Sequence, residues 1–203
     1  MNKMFLKNDN IYNFSDYLSV IYQEVDYTLS LVDLDKIKNI IFGGDINYAK
    51  AIALKANKLN LGFYACILDD STKDDINYLI NLGANIIKTP AIFKMLEAEE
   101  MANDLLSDVS DAYLYKIDNK YASDFYFNVL GSKIMAEVND LKFFLVTNKN
   151  KNLLNGLSRF FLRKTDVKII ALNFEFDLAD EVLFDDLDNA LNKYNALGKT
   201  LIV

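Results

Sequence analysis

Lys38-Asn39-Ile40-Ile41-Phe42-Gly43-Gly44-Asp45-Ile46-Asn47-Tyr48-Ala49-Lys50-Ala51-Ile52-Ala53 passes from one hydrophobic period to another across two glycines. Lys38 to Phe42 reads as a strand whose Ile40, Ile41 and Phe42 are apolar at successive positions, as a strand covered on both faces requires. From Asn47 to Lys58 the apolar residues Ala49, Ile52, Ala53 and Ala56 fall on one face of a helix. A buried strand that turns at glycine into an amphipathic helix is half of a βαβ unit.

The alternation continues in both directions. Further short apolar runs at 62–68, 85–88, 113–117, 143–146, 168–172, 181–184 and 200–203 predict strands. Helices are predicted over 15–31, 73–82, 95–108, 126–138, 153–163 and 187–197, with Ser15 as an N-cap and with Gly83 and Gly198 just past two of the ends. This is a doubly wound α/β pattern with parallel sheets. The segment 118–125, polar with aromatics, reads as the crossover between two small lobes. Residues 1–125 form an N-terminal helix plus the first α/β lobe, and 126–203 the second, with the N-terminal residues free to pack on either.

Composition removes several function classes. The 203 residues are 52% hydrophobic and 25% charged, which excludes a disordered or low-complexity chain. The net charge of −7 argues against nucleic acid as a partner, because phosphate neutralisation needs clustered Lys and Arg. With no histidine and a single cysteine, Cys66, the chain has no Ser-His-Asp or Cys-His couple and no His- or multi-Cys metal site. No apolar run reaches the length of a membrane span, and the N-terminus lacks the apolar core of a signal peptide. The expectation is a cytoplasmic protein with Cys66 as a buried free thiol.

Residues 43–51, Gly-Gly-Asp-Ile-Asn-Tyr-Ala-Lys-Ala, resemble the Ser-Gly-Asn-Thr-Gly-x-Ala-x-Ala loop of cysteine synthases, which are fold-type II pyridoxal-phosphate (PLP) enzymes. Residues 81–90, Asn-Leu-Gly-Ala-Asn-Ile-Ile-Lys-Thr-Pro, resemble that family's Ala-Leu-Gly-Ala-Asn-Leu-Val-Leu-Thr-Pro. Gly156-Leu157-Ser158-Arg159-Phe160-Phe161-Leu162 and Asp166-Val167-Lys168-Ile169-Ile170-Ala171-Leu172 are similar to two later stretches in the same order. Asp180-Glu181-Val182 and residues 198–203 resemble the family's last shared strands. The resemblance implies the tryptophan synthase beta-like PLP fold, in a shortened form: the chain reads as lacking the family's first strands and its final segment.

The departures fall on the chemistry. Ser15 occupies the position of the family's Schiff-base lysine, and no lysine occurs between Lys7 and Lys36. A hydroxyl cannot replace the primary amine there. The family's glycine-rich phosphate loop is replaced by Lys149, Asn150, Lys151 and Asn152, which disfavours close backbone approach to a phosphate. The two lysines keep a positive pole, and solvated surface lysines at a strand-to-helix turn are the competing reading. In the remnant of the substrate loop, Gly43, Gly44, Asp45, Ile46 and Asn47, the carboxylate of Asp45 offers only acceptors where an anionic substrate needs donors.

The expectation is therefore a cysteine synthase relative with no catalytic residues, PLP binding lost and no metal. It acts by protein binding or self-association, as a homodimer or as a heteromer with an active relative. Two alternatives stand beside it: a PLP-dependent cysteine synthase or cysteine lyase-type enzyme, and a module binding a small ligand in the inter-lobe cleft. The carboxylates Asp177, Asp180, Glu181, Asp185, Asp186 and Asp188 read as a solvated acidic loop at a helix N-terminus rather than as a metal site. The aromatic stripe Tyr121, Phe125, Tyr126 and Phe127 reads as packing. Self-association is expected to use that stripe and the apolar end at 201–203, on the view that a four-stranded second sheet leaves an exposed edge.

Overall fold

A computed structural model describes residues 5–8, 10–14, 16–147 and 150–202. The chain runs β1 (Phe5–Asn8), β2 (Ile11–Phe14), α1 (Tyr17–Ser30), β3 (Asn39–Gly43), α2 (Ile46–Lys58), β4 (Gly62–Leu68), α3 (Lys73–Asn81), β5 (Ala84–Thr89), a single 3-10 turn (Ala91–Phe93), α4 (Lys94–Asp108), β6 (Ala112–Tyr115), α5 (Ala122–Phe125), a π-helical turn (Tyr126–Leu130), α6 (Gly131–Glu137), β7 (Leu141–Val146), α7 (Lys151–Lys164), β8 (Lys168–Leu172), β9 (Glu181–Leu183), α8 (Leu187–Leu197) and β10 (Lys199–Ile202). Leu18–Asn119 form one compact unit and the stretches on either side of it form the other.

The first unit is a parallel sheet in the order β5-β4-β3-β6. Ile40, Ile41 and Phe42 on the central strand are fully buried, as the apolar run required. α2 buries its predicted face through Ala49, Ile52, Ala53 and Ala56. α4 lies against β3 so closely that a Cβ on Gly43 would stand 1.9 Å from the carbonyl oxygen of Ala98. Ile41, Cys66, Ala98 and Ala102 pack together at that contact.

The second unit is a six-stranded sheet in the order β1-β2-β10-β7-β8-β9. All its pairings are parallel except the β1–β2 hairpin. Successive residues of β7 serve opposite faces, as the strand period of two demands. Phe144 meets Phe161 of α7 at 5.0 Å between ring centroids, while Phe143 meets Tyr194 of α8 at 5.0 Å. Phe144 and Phe161 are fully buried, and each contributes about 1.5–3 kcal/mol.

Two expectations are corrected here. The second sheet has six strands and not four, because residues 5–14, left above free to pack on either lobe, return as a hairpin whose second strand pairs with β10. β10 therefore lies between β2 and β7 with Leu201 fully buried, and offers no open edge for association; Val203 lies outside the described residues. The helix expected from Tyr126 begins at Ala122 and passes through a π-helical turn, with Ala122, Phe125 and Tyr126 all buried and α7 close against the turn at Gly156.

Candidate functional site

The turn from β3 to α2 borders a cavity of about 270 Å³ lined by Gly44, Asp45, Ile46, Leu68, Asp70, Ser71, Thr72, Asp75 and Met95. It lies at the carboxyl ends of β3 and β4, where open parallel sheets place ligands. Gly44 holds a φ of 140°, which L side chains rarely adopt, and so turns the chain out of the strand. Asp45 follows as the N-cap of α2. Its Oδ1 accepts the N–H of Asn47 at 2.8 Å and that of Tyr48 at 3.4 Å. The first amide donors of the helix, which could otherwise receive an anion, are thus directed at the chain's own carboxylate. Ile46 supplies an apolar wall and Asn47 is spent, through its N–H, on the cap.

The rest of the lining is acidic and internally paired. Thr72 caps α3: its hydroxyl donates to Asp75 Oδ2 at 2.8 Å and accepts the Asp75 N–H at 3.2 Å. Asp75 also forms an ion pair with Lys50. The Lys50 ammonium and then the Thr72 hydroxyl hold the Asp75 carboxyl below the usual carboxylate range. The cavity offers acceptors and hydroxyls, and with no histidine in the chain no imidazole base accompanies them.

The turn before α7 repeats the arrangement. Asn150 is its N-cap, and its Oδ1 accepts the N–H groups of Asn152 and Leu153, each at 3.1 Å. Its amide also donates to the Tyr17 hydroxyl at 3.4 Å. Lys151 is exposed and Asn152 buried. On the resemblance set out above, a glycine-rich loop would direct its amides at a PLP phosphate; the two amides here are directed at the Asn150 carboxamide instead, and that does not fit such a phosphate. Ser15 and Lys149 lie outside the described residues.

The acidic loop is absorbed into local structure. Asp186 caps α8 by accepting the Asn189 N–H at 2.8 Å. Asp185 accepts the Asn189 amide at 3.0 Å and the Asp186 N–H at 2.8 Å, and the first of these above all keeps its carboxyl below the usual range. Asp180 accepts the Ile169 N–H at 2.7 Å, and Glu181 pairs with Lys193 at 2.9 Å. Among the described residues no group of three or more His, Cys, Asp or Glu converges as a metal site would.

One polar cluster was missed by the sequence reading. Glu24 is fully buried on α1 and accepts the Tyr48 hydroxyl at 2.7 Å. Burial, and after it the Glu24 charge, push the buried Tyr115 phenol far up. The signal was present: Glu24 and Thr28 stand inside the buried stripe Val20, Ile21, Val25 and Leu29.

Among solved structures, O-ureido-L-serine synthase is similar with a TM-score of 0.73 at 12% identity, over 98% of this chain and 86% of that one. An O-ureido-L-serine-bound mutant of that enzyme gives 0.74 at 13% identity, over 98% and 85%. The O-acetylserine-dependent cystathionine β-synthase of Helicobacter pylori gives 0.70 at 16% identity, over 95% of this chain and 70% of that one. The likeness is one of fold, and the parallel-sheet α/β architecture that the resemblance implied is the architecture of this chain. No protein-family model matches the sequence, and no curated protein is significantly similar to it.

Proposed function

We propose that this chain is a catalytically silent relative of the cysteine synthases that acts by binding another protein, as a homodimer or as a heteromer with an active relative. One observation carries the reading: at both turns where the family resemblance puts ligand contacts, a side chain of the chain itself, Asp45 or Asn150, takes the helix-terminal amides. At each turn the cap takes two of the donors an anion would use, without any ligand. Ser15 at the lysine position points the same way, since it has no amine to hold the cofactor.

The test is a titration of the purified chain with PLP, followed by an absorbance scan, borohydride reduction and mass spectrometry. The expected result is no visible band of protein-bound cofactor and no lysine adduct; a stoichiometric PLP–lysine adduct refutes the reading. Sedimentation over a range of concentrations addresses the partner: self-association appears as a mass above one 23.2 kDa chain.

A further inference from the structure

We draw no further inference here: the strongest candidate, the cavity at the carboxyl ends of β3 and β4 with Asp45, Asp70 and Asp75 in its lining, belongs to the site already described, and its carboxylates and helix starts are accompanied by no second feature, among the described residues, that points to a ligand.

Discussion

One methyl group at residue 43 should cost the first unit more than its size suggests. The Cβ of Gly43→Ala would lie 1.9 Å from the Ala98 carbonyl oxygen, 2.5 Å from its carbon and 2.9 Å from Ala102 Cβ. Restoring an ordinary 3.4 Å contact asks α4 to withdraw from β3 by about 1.5 Å. The obstacle is backbone within a helix, so no side-chain rotation relieves it. The helix is held there by Ala98 and Ala102 against Ile41 and Cys66, with Leu105 and Val109 packed beside them, and moving it opens voids in that cluster. Overpacking costs about 1–3 kcal/mol, and a fixed backbone obstacle puts this case at the upper end, about 3 kcal/mol. For a chain of this length that lowers the thermal midpoint by roughly 6–12 °C. Urea and thermal denaturation followed by circular dichroism measure it, with Gly83→Ala as the comparator. Gly83 has open space around its Cβ position and a φ of 82°, so that change costs only left-handed strain, about 1 kcal/mol. If Gly43→Ala stays within about 0.5 kcal/mol of the native chain, the close packing of α4 on β3 is refuted. The resembling family carries serine at this position, so restoring that loop residue meets the same carbonyl.

Burial pushes the Cys66 thiol up to about 11, so the native chain should react slowly with a disulfide reagent at neutral pH and quickly in denaturant; rapid native reaction would place the thiol at the surface. Asp75 titrates below its ordinary value because Lys50 and Thr72 bond the charged form, so its contribution to stability is present above the unfolded carboxylate range and is lost as pH falls through the lowered value. Asp75→Asn should therefore be less stable than the native chain at neutral pH, with the gap closing in acid. Urea midpoints measured from neutral to acidic pH check this, and a gap that persists at the acid end contradicts it.

The elements legible to the residue were those whose signals are local. β4 and β8 are unbroken apolar runs, and α8 is bounded by Asp186 and Gly198. The β1–β2 hairpin was not legible, because four-residue strands carrying Lys7, Asn8 and Asn13 have no apolar period of their own. They become strands by pairing with β10, nearly the whole chain away. The start at Ala122 and the π-helical turn were hidden because they depend on how near α7 comes at Gly156. At the site, the positions of Gly43, Gly44 and Asp45 between strand and helix were readable. The role of Asp45 was only half seen: its charge was read as repelling an anion, whereas its geometry occupies the donors an anion would use. Glu24 escaped because pattern reading follows apolar residue types and passes over a carboxylate seated in the same stripe.

The caps of α2 and α7 bear on how such a fold can be kept without its chemistry. A strand-to-helix crossover leaves orphan amides at every helix start, and a side chain, water or a bound anion satisfies them. A site that waits for a ligand takes its local stability from that ligand in proportion to concentration and affinity. A site capped by Asp or Asn has about 1 kcal/mol of the same stabilisation built into the sequence. In this chain α2 and α7 start as α3 and α8 do, each on an Asp, Asn or Thr that accepts from the first turn. On the proposed reading, both units are then stable with nothing bound, and residues are released from the constraints of a cofactor site. Selection can then act on the outer surface. The exposed Arg159 and Arg163 lie about two and a half and about three and a half turns along α7 from the Asn150 cap, and changes there leave the capped turn intact.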